Sequence, residues 1–470
     1  MMKLLRTIPL VSIVLVTLAP LALHAQGHKT GAILDPALYG QVSYKSTLTR
    51  GLYTVPSKAS VKQFAPYSGD QGQYGTCTAW ASAYSAVTII YAKLNGITDR
   101  GRITQSAFSP GFAFRESFAG KFFGCDSGQA VANVLKSIQA NGVPPFSDLD
   151  ALCPTTIPAE ARNKAVHYSI LGFTRITSPD DGGTTVLQKI KKTIFENKPV
   201  VVGMNVDFVQ GKGCFNNLSQ NFVWMPNRSV KPIAGHAMTV VSYDDAYGGG
   251  AFELQNSWGR DWGNDGFFWI KYNDFVDYFQ EGFELLENPE MANPEGAQLS
   301  GALNIVESDG HSPAVRWNGS QYVVQEDFPS GTRFRIYLDN NEPAFVYMLG
   351  VDSAGKTSHL FPSNPSMSPA LTYKRNQVAL PGEDLFIQTD QNPGEERIVV
   401  LYSLRELDLG KVEDQIQAGT GSLIDRLHAA LGDALVPSDR VSYETDKMVF
   451  KAKGRTNGVV ALLVTINHTP

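Results

Sequence analysis

The sequence is poor in the features that mark several classes of protein. Its 470 residues contain four cysteines and no block of basic residues, no low-complexity tract and no repeat of fixed period. Because charged residues make up 18% of the chain and the formal net charge is −5, we expect neither nucleic acid nor an anionic membrane surface as a partner. The glycine-rich segment GDQGQYG lacks the Lys-Ser/Thr ending of a phosphate-binding loop, so no cofactor is expected.

The one long apolar run lies at the beginning of the chain. Lys3 and Arg6 precede an apolar stretch from Ile8 to Leu23, and Ala25 stands where a signal peptidase would cleave. We therefore predict that residues 1–25 are a signal peptide and that the mature chain has no membrane span. The protein would then be periplasmic, on the cell surface or extracellular. An uncleaved anchor is the alternative, although the stretch is short for a span.

The length and the changes of pattern predict several domains with an α+β first domain. A chain of 470 residues is long for one domain, and 43% hydrophobic residues provide a sizeable core. Helical patterns come first and strand patterns second, which is typical of an α+β fold. We expect an N-terminal arm (26–54), an α+β domain (55–287), a polar linker (288–299) and a β-rich accessory domain (300–470). In the α+β domain we expect helices at 78–94, 129–139 and 184–196, and strands at 199–206, 236–243, 251–256 and 266–271.

The accessory domain shows short strand patterns divided by turns, and it resembles an uncharacterised β-rich module. We expect strands at 321–324, 333–338, 344–351, 384–389, 397–403, 441–449 and 459–466, with a partly helical segment at 412–435. The aromatic strand residues are expected mostly in the core, with a surface for a protein or glycan partner as the alternative: Tyr322, Phe334, Tyr337, Phe345 and Tyr347.

Three separated segments carry the side chains of a nucleophilic site. Cys77 opens the first predicted helix, His236 lies in AGHAMTVVSYDD, and Asn256 lies in LQNSWGRDWGNDGFFWI. A thiol, an imidazole and an amide that orients the imidazole are the parts of a cysteine nucleophile. A helix N-terminus and a nearby imidazolium would both lower the pKa of the thiol.

In these segments the chain resembles the papain-like cysteine peptidases, over roughly residues 55–290. The order Cys, His, Asn and the block NSWGxxWG carry the resemblance. It implies a two-lobed fold, with a helical left lobe, a β-barrel-like right lobe and a cleft between them. It also implies a peptide or protein substrate, hydrolysed by a Cys77 thiolate and a His236 imidazolium through an acyl-enzyme. By the same resemblance, Asn256 of this chain would orient His236, and Gln71 would donate a hydrogen bond to the oxyanion.

The resemblance also places residues that bind the substrate. Gly128 would pair with an extended substrate strand, and Trp258 would cover the hydrogen bond between His236 and Asn256. The pocket for the second residue before the scissile bond would be lined by Ala130, Gly203, Ala234 and Ala237. Because all four are small, we expect a roomy apolar pocket without a charged floor.

Two departures from the family pattern concern its cysteine and tryptophan positions. Tyr74 replaces the cysteine three residues before the nucleophile, and Thr78 replaces the tryptophan after it, which implies a divergent, bacterial-type branch. The turn GCDSG retains Cys125, which then needs a new partner or stays free. Our choice is Cys153, and a ring of about 28 residues closed in this way would stabilise the fold by roughly 3 kcal/mol.

The arm of residues 26–54 is far too short for the helical inhibitory segment common in that family. Either latency is not achieved in that way, or the arm itself occludes the cleft.

Asp99 with Glu116, and Asp244 with Asp245, are interpreted as solvated carboxylates, and no metal site is expected because no His or Cys lies at ligand spacing.

Besides a secreted endopeptidase, two other functions fit a cysteine nucleophile in a cleft. A catalytically weak peptide-binding protein is disfavoured by the intact set of Gln71, Cys77, His236 and Asn256. Related acyl transfers are the second alternative. Cell-wall amidases normally lack the NSWG block, whereas a transpeptidase shares the acyl-enzyme and stays open.

Overall fold

The computed structural model describes residues 28–45, 55–178, 181–209, 213–215, 218–232, 234–372, 378–382 and 385–470. The predicted signal peptide lies outside these residues. Within them, no helix has the length and apolar character needed to cross a membrane. The helices are α1 Pro36–Gln41, α2 Cys77–Ala79, α3 Thr88–Leu94, α4 Arg100–Gln105, α5 Pro110–Glu116, α6 Val131–Asn141, α7 Ala159–Ala165, α8 Gly183–Phe195, α9 Tyr272–Tyr278, α10 Leu409–Ala418 and α11 Leu423–Leu431.

One long helical run forms the centre of the first lobe. It begins at Cys77 with α2, continues as a π-helical segment over Trp80–Val87 and ends with α3 at Leu94. Every residue from Cys77 to Ile90 is buried, because the run packs between α5 and α6 on one side and the first sheet on the other. π-helical turns are rare and occur mostly at functional sites.

The second lobe is an antiparallel-rich sheet whose central strands are apolar on both faces. Among the described residues, the strands of the first domain are β1 Lys58–Ser60, β2 Gly172–Arg175, β3 Val200–Val206, β4 Phe208–Val209, β5 Gly213–Cys214, β6 Val223–Trp224, β7 Ala234–Asp244, β8 Ala251–Gln255, β9 Phe267–Lys271 and β10 Phe279–Leu286. Eight of them form one sheet in the order β2-β10-β3-β7-β8-β9-β6, with β1 also paired to β7. In the pairing of the described residues this sheet does not close, so the barrel-like lobe is an open sheet.

The register of the central strands sets the positions of the site residues. His236 on β7 lies opposite Met204 on β3, and Ala237 lies opposite Gly203. On the other side of β3, Gly203 lies opposite Glu281 on β10. Strand β10 was not among the strands predicted from the sequence.

The C-terminal domain consists of two packed sheets with helices on one outer face. Its strands are β11 Ser300–Glu307, β12 Val315–Trp317, β13 Tyr322–Val324, β14 Phe328–Pro329, β15 Arg333–Asn340, β16 Ala344–Val351, β17 Thr357–Phe361, β18 Ala370–Leu371, β19 Val378–Leu380, β20 Ile387–Gln388, β21 Gly394–Ser403, β22 Val441–Tyr443, β23 Met448–Ala452 and β24 Val459–Thr469. One sheet has the order β19-β15-β11-β23-β22 and the other β12-β13-β24-β21-β16-β17. The two share one apolar core, and α10 and α11 pack on the outer face of the second sheet.

Two expectations for this domain are corrected. The strand predicted over 441–449 is two strands, β22 and β23, because the polar residues 444–447 form the turn between them. The strand predicted over 384–389 is reduced to Ile387–Gln388, with residue 384 outside the described part of the chain. Of the aromatic residues expected in the core, all are buried except Tyr337, which is half-buried.

Candidate active site

Cys77 lies at the first position of α2, with its side chain enclosed by the fold. It is a free cysteine with no exposed surface. Burial raises the pKa of its thiol to about 11, and hydrogen bonds from the backbone of Ala237 and Gly31 act in the opposite direction. The thiol is therefore neutral in this state of the cleft, in contact with the residue that follows His236.

His236 is held by Asn256 in one defined tautomer. Its Nε2 lies 2.7 Å from Asn256 Oδ1, and the same oxygen accepts the backbone N–H of Ser257 at 2.8 Å. Because that backbone group can only donate, the oxygen is the acceptor and Nε2 carries the proton. The other ring nitrogen, Nδ1, is buried and has no hydrogen-bond partner among the described residues, so its lone pair is available to accept a proton.

Aromatic rings enclose the imidazole. The Trp258 ring lies 5.0 Å from the His236 ring, centre to centre, and the Phe215 ring lies 5.7 Å from it. Burial lowers the pKa of His236 to about 4, and the hydrogen bond that its ring donates to Asn256 Oδ1 acts in the opposite direction. Both the thiol and the imidazole are therefore uncharged at neutral pH in this closed cleft.

Gln71 has its amide group fixed by two neighbours. Its Oε1 accepts the hydroxyl of Ser257 at 2.6 Å, so the amide nitrogen must point the other way. That nitrogen donates to the carbonyl of Tyr74 at 2.7 Å and to the carbonyl of Lys29 at 3.0 Å. The side chain is fully buried, and its N–H groups are directed at backbone carbonyl oxygen.

The residues predicted to bind substrate line a groove beside Cys77. Gly128 has a left-handed backbone with φ +69°, and a Cβ on it would lie 2.5 Å from the carbonyl oxygen of Gly31. The main-chain pairing in this wall is made by its neighbour Gln129. Ala130 and Ala237 are buried, and Ala234 is half-buried at the beginning of β7.

The expectation of an apolar pocket without a charged floor is corrected, because the ionisable carboxyl of Glu281 lies beside Gly203. A Cβ on Gly203 would lie 2.6 Å from Glu281 Oε1 and 2.8 Å from Leu34 Cδ2. Glu281 is 3% exposed, and its Oε1 has no hydrogen-bond partner. Burial raises the pKa of this carboxyl to about 8, and the charge of Asp35 acts in the same direction. No pattern in the sequence pointed to this residue, because the strand that carries it was not predicted.

The N-terminal arm runs through the cleft and fills it. The carbonyl of Lys29 accepts a hydrogen bond from Gln71. Gly31 lies against the turn that precedes Cys77, and a Cβ on Gly31 would be 2.0 Å from the carbonyl oxygen of Gly75. His28 stacks on Trp258 with the ring centres 5.2 Å apart. The sequence left open whether the arm occludes the cleft. In the structure it does.

Beyond Gly31 the arm pairs with both walls of the groove. Ala32 donates to the carbonyl of Gly235 at 3.1 Å, and Ile33 donates to the carbonyl of Gln129 at 3.0 Å. The amide of Gln129 returns a hydrogen bond of 2.9 Å to Gly31, so the two segments run parallel. Leu34 then enters the pocket at Gly203, where its Cδ2 and the Glu281 carboxyl both lie within 3 Å of the position that a Cβ on Gly203 would take.

A disulfide supports the groove wall from behind. Cys125, in the turn before Gly128, is bonded to Cys153. The amide of Gly75 donates to the carbonyl of Cys125 at 2.8 Å. The disulfide therefore fixes the turn that faces both the nucleophile's loop and the arm.

The carboxylates considered for metal binding have structural partners. Asp99 caps α4, and Glu116 pairs with Arg162. Asp244 accepts from the backbone of Ala246, and Asp245 pairs with Lys191.

Two family models match the chain. Residues 68–278 match the papain family cysteine protease model, and residues 327–406 match a domain of unknown function, DUF4384. The second match covers part of the β-rich domain and assigns it no chemistry.

Curated relatives match the same first domain. An uncharacterized peptidase C1-like protein of Acanthamoeba polyphaga mimivirus is 28% identical over 221 residues, which are 44% of this chain and 65% of that protein. Cysteine proteinase 3 of Entamoeba histolytica is 27% identical over 228 residues, which are 47% of this chain and 65% of that protein. The chain therefore spans about two-thirds of the length of the curated relatives it matches.

Among solved structures, the chain is similar to xylellain, a cysteine protease from Xylella fastidiosa. The identity is 21% and the TM-score 0.43, covering 55% of this chain and 95% of that one. Digestive procathepsin L 3 of the Tenebrio molitor larval midgut is 18% identical with a TM-score of 0.39, covering 53% of this chain and 77% of that one.

Proposed function

Because residues 68–278 form a papain-family cysteine protease domain, we propose that this chain is an exported cysteine endopeptidase held in a latent state by its own N-terminal arm. The observation that carries the proposal is the pairing of His236 with Asn256 at 2.7 Å, which leaves a free Nδ1 on the side of the ring away from the amide. Cys77 lies against the backbone of the next residue, Ala237.

The reaction follows from the roles that these groups can take. With the arm displaced, His236 Nδ1 accepts the thiol proton, and the Cys77 thiolate attacks the carbonyl carbon of the scissile bond. The tetrahedral oxyanion accepts hydrogen bonds from the Gln71 side chain and the Cys77 backbone N–H. The imidazolium gives its proton to the leaving amine, which leaves an acyl-enzyme. A water, deprotonated by His236, attacks the thioester and releases the acid and the thiol.

Asn256 positions the imidazole through all of these steps. Its oxygen accepts the Nε2 proton, so the ring cannot turn its basic nitrogen away from the thiol. An amide suffices for this role because the thiolate balances the charge of the imidazolium. The Trp258 ring covers the His236–Asn256 hydrogen bond and keeps water from competing for it.

The arm blocks the cleft without being a substrate, because it runs in the opposite direction. A substrate would place residues that precede its scissile bond in the Gly203 pocket and its scissile carbonyl at Cys77. The arm passes Cys77 at Gly31 and reaches the pocket later, at Leu34. The carbon and nitrogen of its peptide bonds are therefore interchanged relative to those of a substrate.

The pocket gives the proposed enzyme a substrate class. Within the part of the chain that the structure describes, Glu281 Oε1 is buried without a partner, and the apolar Leu34 side chain cannot supply one. A lysine or arginine in the same pocket would supply the missing donor and an opposite charge. We infer that peptides with a basic second residue before the scissile bond are preferred.

Active-site labelling tests the function. An epoxide that alkylates papain-like thiols is applied to the full chain and to a variant with the arm displaced, each beside Cys77→Ala. We expect an adduct on Cys77 and peptide hydrolysis once the arm is displaced, and neither in Cys77→Ala. An open cleft that binds peptides without an adduct or hydrolysis would favour the peptide-binding alternative. Aminolysis exceeding hydrolysis would favour the transpeptidase.

A further inference from the structure

Beyond α1, residues 42–45 form a short extended segment that is bridged through Tyr44 to the edge of the first sheet. Arg175 lies at the end of β2, the edge strand. Its amide donates to the carbonyl of Ser43, and its carbonyl accepts from the amide of Lys45, each at 3.0 Å. Arg175 also donates from Nε to the carbonyl of Val42 at 2.7 Å.

The other edge of residues 42–45 is bonded to the C-terminal domain. The amide of Tyr44 donates to the carbonyl of Ser366 at 2.8 Å, and the carbonyl of Tyr44 accepts from the amide of Ser368 at 2.9 Å. We call residues 364–368, the turn that makes these bonds, the clasp. The amide and carbonyl of Tyr44 are thus bonded to the C-terminal domain, whereas its neighbours Ser43 and Lys45 are bonded to the first domain.

The clasp has its own internal support, which depends on Asn364. The Oδ1 of Asn364 accepts the amide of Ser366 at 2.7 Å, and its backbone carbonyl accepts the amide of Met367 at 2.9 Å. Its Nδ2 also lies 3.4 Å from the Tyr44 hydroxyl. Asn364 is exposed, so its side chain is replaceable without disturbing the domain core.

A buried charge cluster also joins the arm to both domains. Glu284 on β10 pairs with Lys45 of the arm and, at 3.3 Å, with Lys198. Lys198 in turn donates to the carbonyl of Thr372 in the C-terminal domain. Lys45 and Lys198 are each 3% exposed, and Glu284 is fully buried. Removing one partner from a buried cluster of this kind leaves a charge uncompensated.

Only about ten residues separate this anchor from the pocket-filling Leu34. They include α1, whose N-terminus is capped by Asp35, and Tyr39, whose hydroxyl donates to the carbonyl of Gly282 at 3.1 Å. A short tether keeps the cleft-filling segment at a high local concentration, and loosening its anchor lowers that concentration.

We propose that the C-terminal domain is the holder of the inhibitory arm: through the clasp it fixes residues 42–45 and so keeps residues 28–34 in the cleft. This gives a function to a domain that has none assigned. It follows that a partner which draws the clasp away from Tyr44 opens the active site without cleaving the chain.

The test uses the full-length protein and hydrogen exchange at the amides of Ala32 and Ile33, which report the arm in the cleft independently of any peptidase activity. Asn364→Ala loosens the clasp. Asn318→Ala is the matched control, because Asn318 supports another exposed turn of the same domain through the amides of Ser320 and Gln321.

We expect exchange at Ala32 and Ile33 to be about fivefold faster in Asn364→Ala, the change produced by losing one hydrogen bond of about 1 kcal/mol. Asn318→Ala should leave both rates unchanged. Tyr44→Pro, which removes the donor to Ser366, should have a larger effect in the same direction, and its melting curve shows whether it is folded.

Unchanged exchange in Asn364→Ala, while the amide of Ser368 exchanges faster, would overturn the proposal, because the clasp would then be open with the arm still in place. Equal acceleration in Asn318→Ala would overturn it as well. Faster exchange without any gain in Cys77 alkylation would support the clasp and count against the proposed peptidase instead.

Discussion

The side-chain amide of Gln71 donates a hydrogen bond of 3.0 Å to the backbone carbonyl of Lys29. A group proposed to stabilise a substrate oxyanion is thus already bonded to a carbonyl of the same chain. The arm occupies the hydrogen-bonding positions of the cleft as well as its volume. Its displacement therefore has to break specific contacts before any substrate enters.

Gly31→Val should expel the arm. The Cβ of any side chain at this position would lie 2.0 Å from the carbonyl oxygen of Gly75, a backbone atom that cannot move aside. Overpacking of this kind costs about 1–3 kcal/mol, so alkylation of Cys77 should become about 5- to 150-fold faster. Gly40→Ala is the control, because a Cβ there meets nothing within 4 Å. Equal labelling rates in the two variants would contradict the closed cleft.

Gln71→Ala should lower kcat by about 100- to 1,000-fold in the Gly31→Val background, because one oxyanion donor is lost. Steady-state hydrolysis of a peptide measures the effect. Gln63→Ala, at an exposed position outside the cleft, is the control and should leave kcat unchanged. A change in KM alone would assign Gln71 to substrate binding and not to the transition state.

Glu281→Gln should remove the preference for a basic residue in the Gly203 pocket. The substitution keeps the shape of the side chain and deletes its charge. We expect kcat/KM for a peptide with arginine at that position to fall about tenfold or more, the contribution of a charge-assisted hydrogen bond. The matched leucine peptide should be cleaved equally well or better. Loss for both peptides alike would mean that Glu281 supports the pocket without selecting its occupant.

The stability of the closed cleft should depend on pH through His236 and Glu281, with opposite signs. Burial holds the pKa of His236 down at about 4, so its contribution is complete above its ordinary pKa, about 6.5, and is lost as the pH falls towards 4. Burial raises the pKa of Glu281 to about 8, so its contribution is complete below its ordinary pKa, about 4.3, and is lost as the pH rises towards 8.

Protection of the Ala32 amide, expressed relative to its intrinsic exchange rate, measures this balance. We expect it to be roughly constant between about pH 4.5 and 6.5, where the two effects oppose each other, and to fall between 6.5 and 8. In Glu281→Gln the fall at higher pH should vanish, and protection should rise from pH 4.5 to 6.5. A variant with the wild-type profile would exclude Glu281 as the titrating group.

Replacing both Cys125 and Cys153 by alanine should destabilise the protein by about 3 kcal/mol, because the disulfide closes a ring of 28 residues. Urea unfolding followed by fluorescence measures the loss. A reductant should destabilise the wild type by a similar amount and leave the double variant unaffected. A reductant effect that persists in the double variant would have to come from another site.

The residues of the candidate site were accessible to sequence reasoning because each lies in its own local motif. Cys77 opens a helix, and His236 lies in a strand of strong apolar pattern. Glu281 was missed because nothing near it in sequence points to the pocket. Its role comes from the register between β10 and β3, and β10 was not predicted.

The path of the arm was equally hidden from the sequence. The arm contacts Gln71, Gln129 and Gly235, which are 42 or more residues away in sequence. It does so through its backbone groups, which any sequence carries. The sequence therefore left open whether the arm occludes the cleft. Likewise, the sequence predicted one strand over 441–449 and not the turn at 444–447, because polar residues also occur within strands that have an exposed face.

The reversed direction of the arm has a practical consequence for inhibitor design. A synthetic peptide with the sequence of residues 28–34, HKTGAIL, carries the groups that meet Gln71, Gln129 and the Gly203 pocket. The enzyme could bind such a compound but would not consume it, since the bond at the thiol is presented the wrong way round. Replacing its last leucine by lysine would add a charged partner for Glu281 and should strengthen binding.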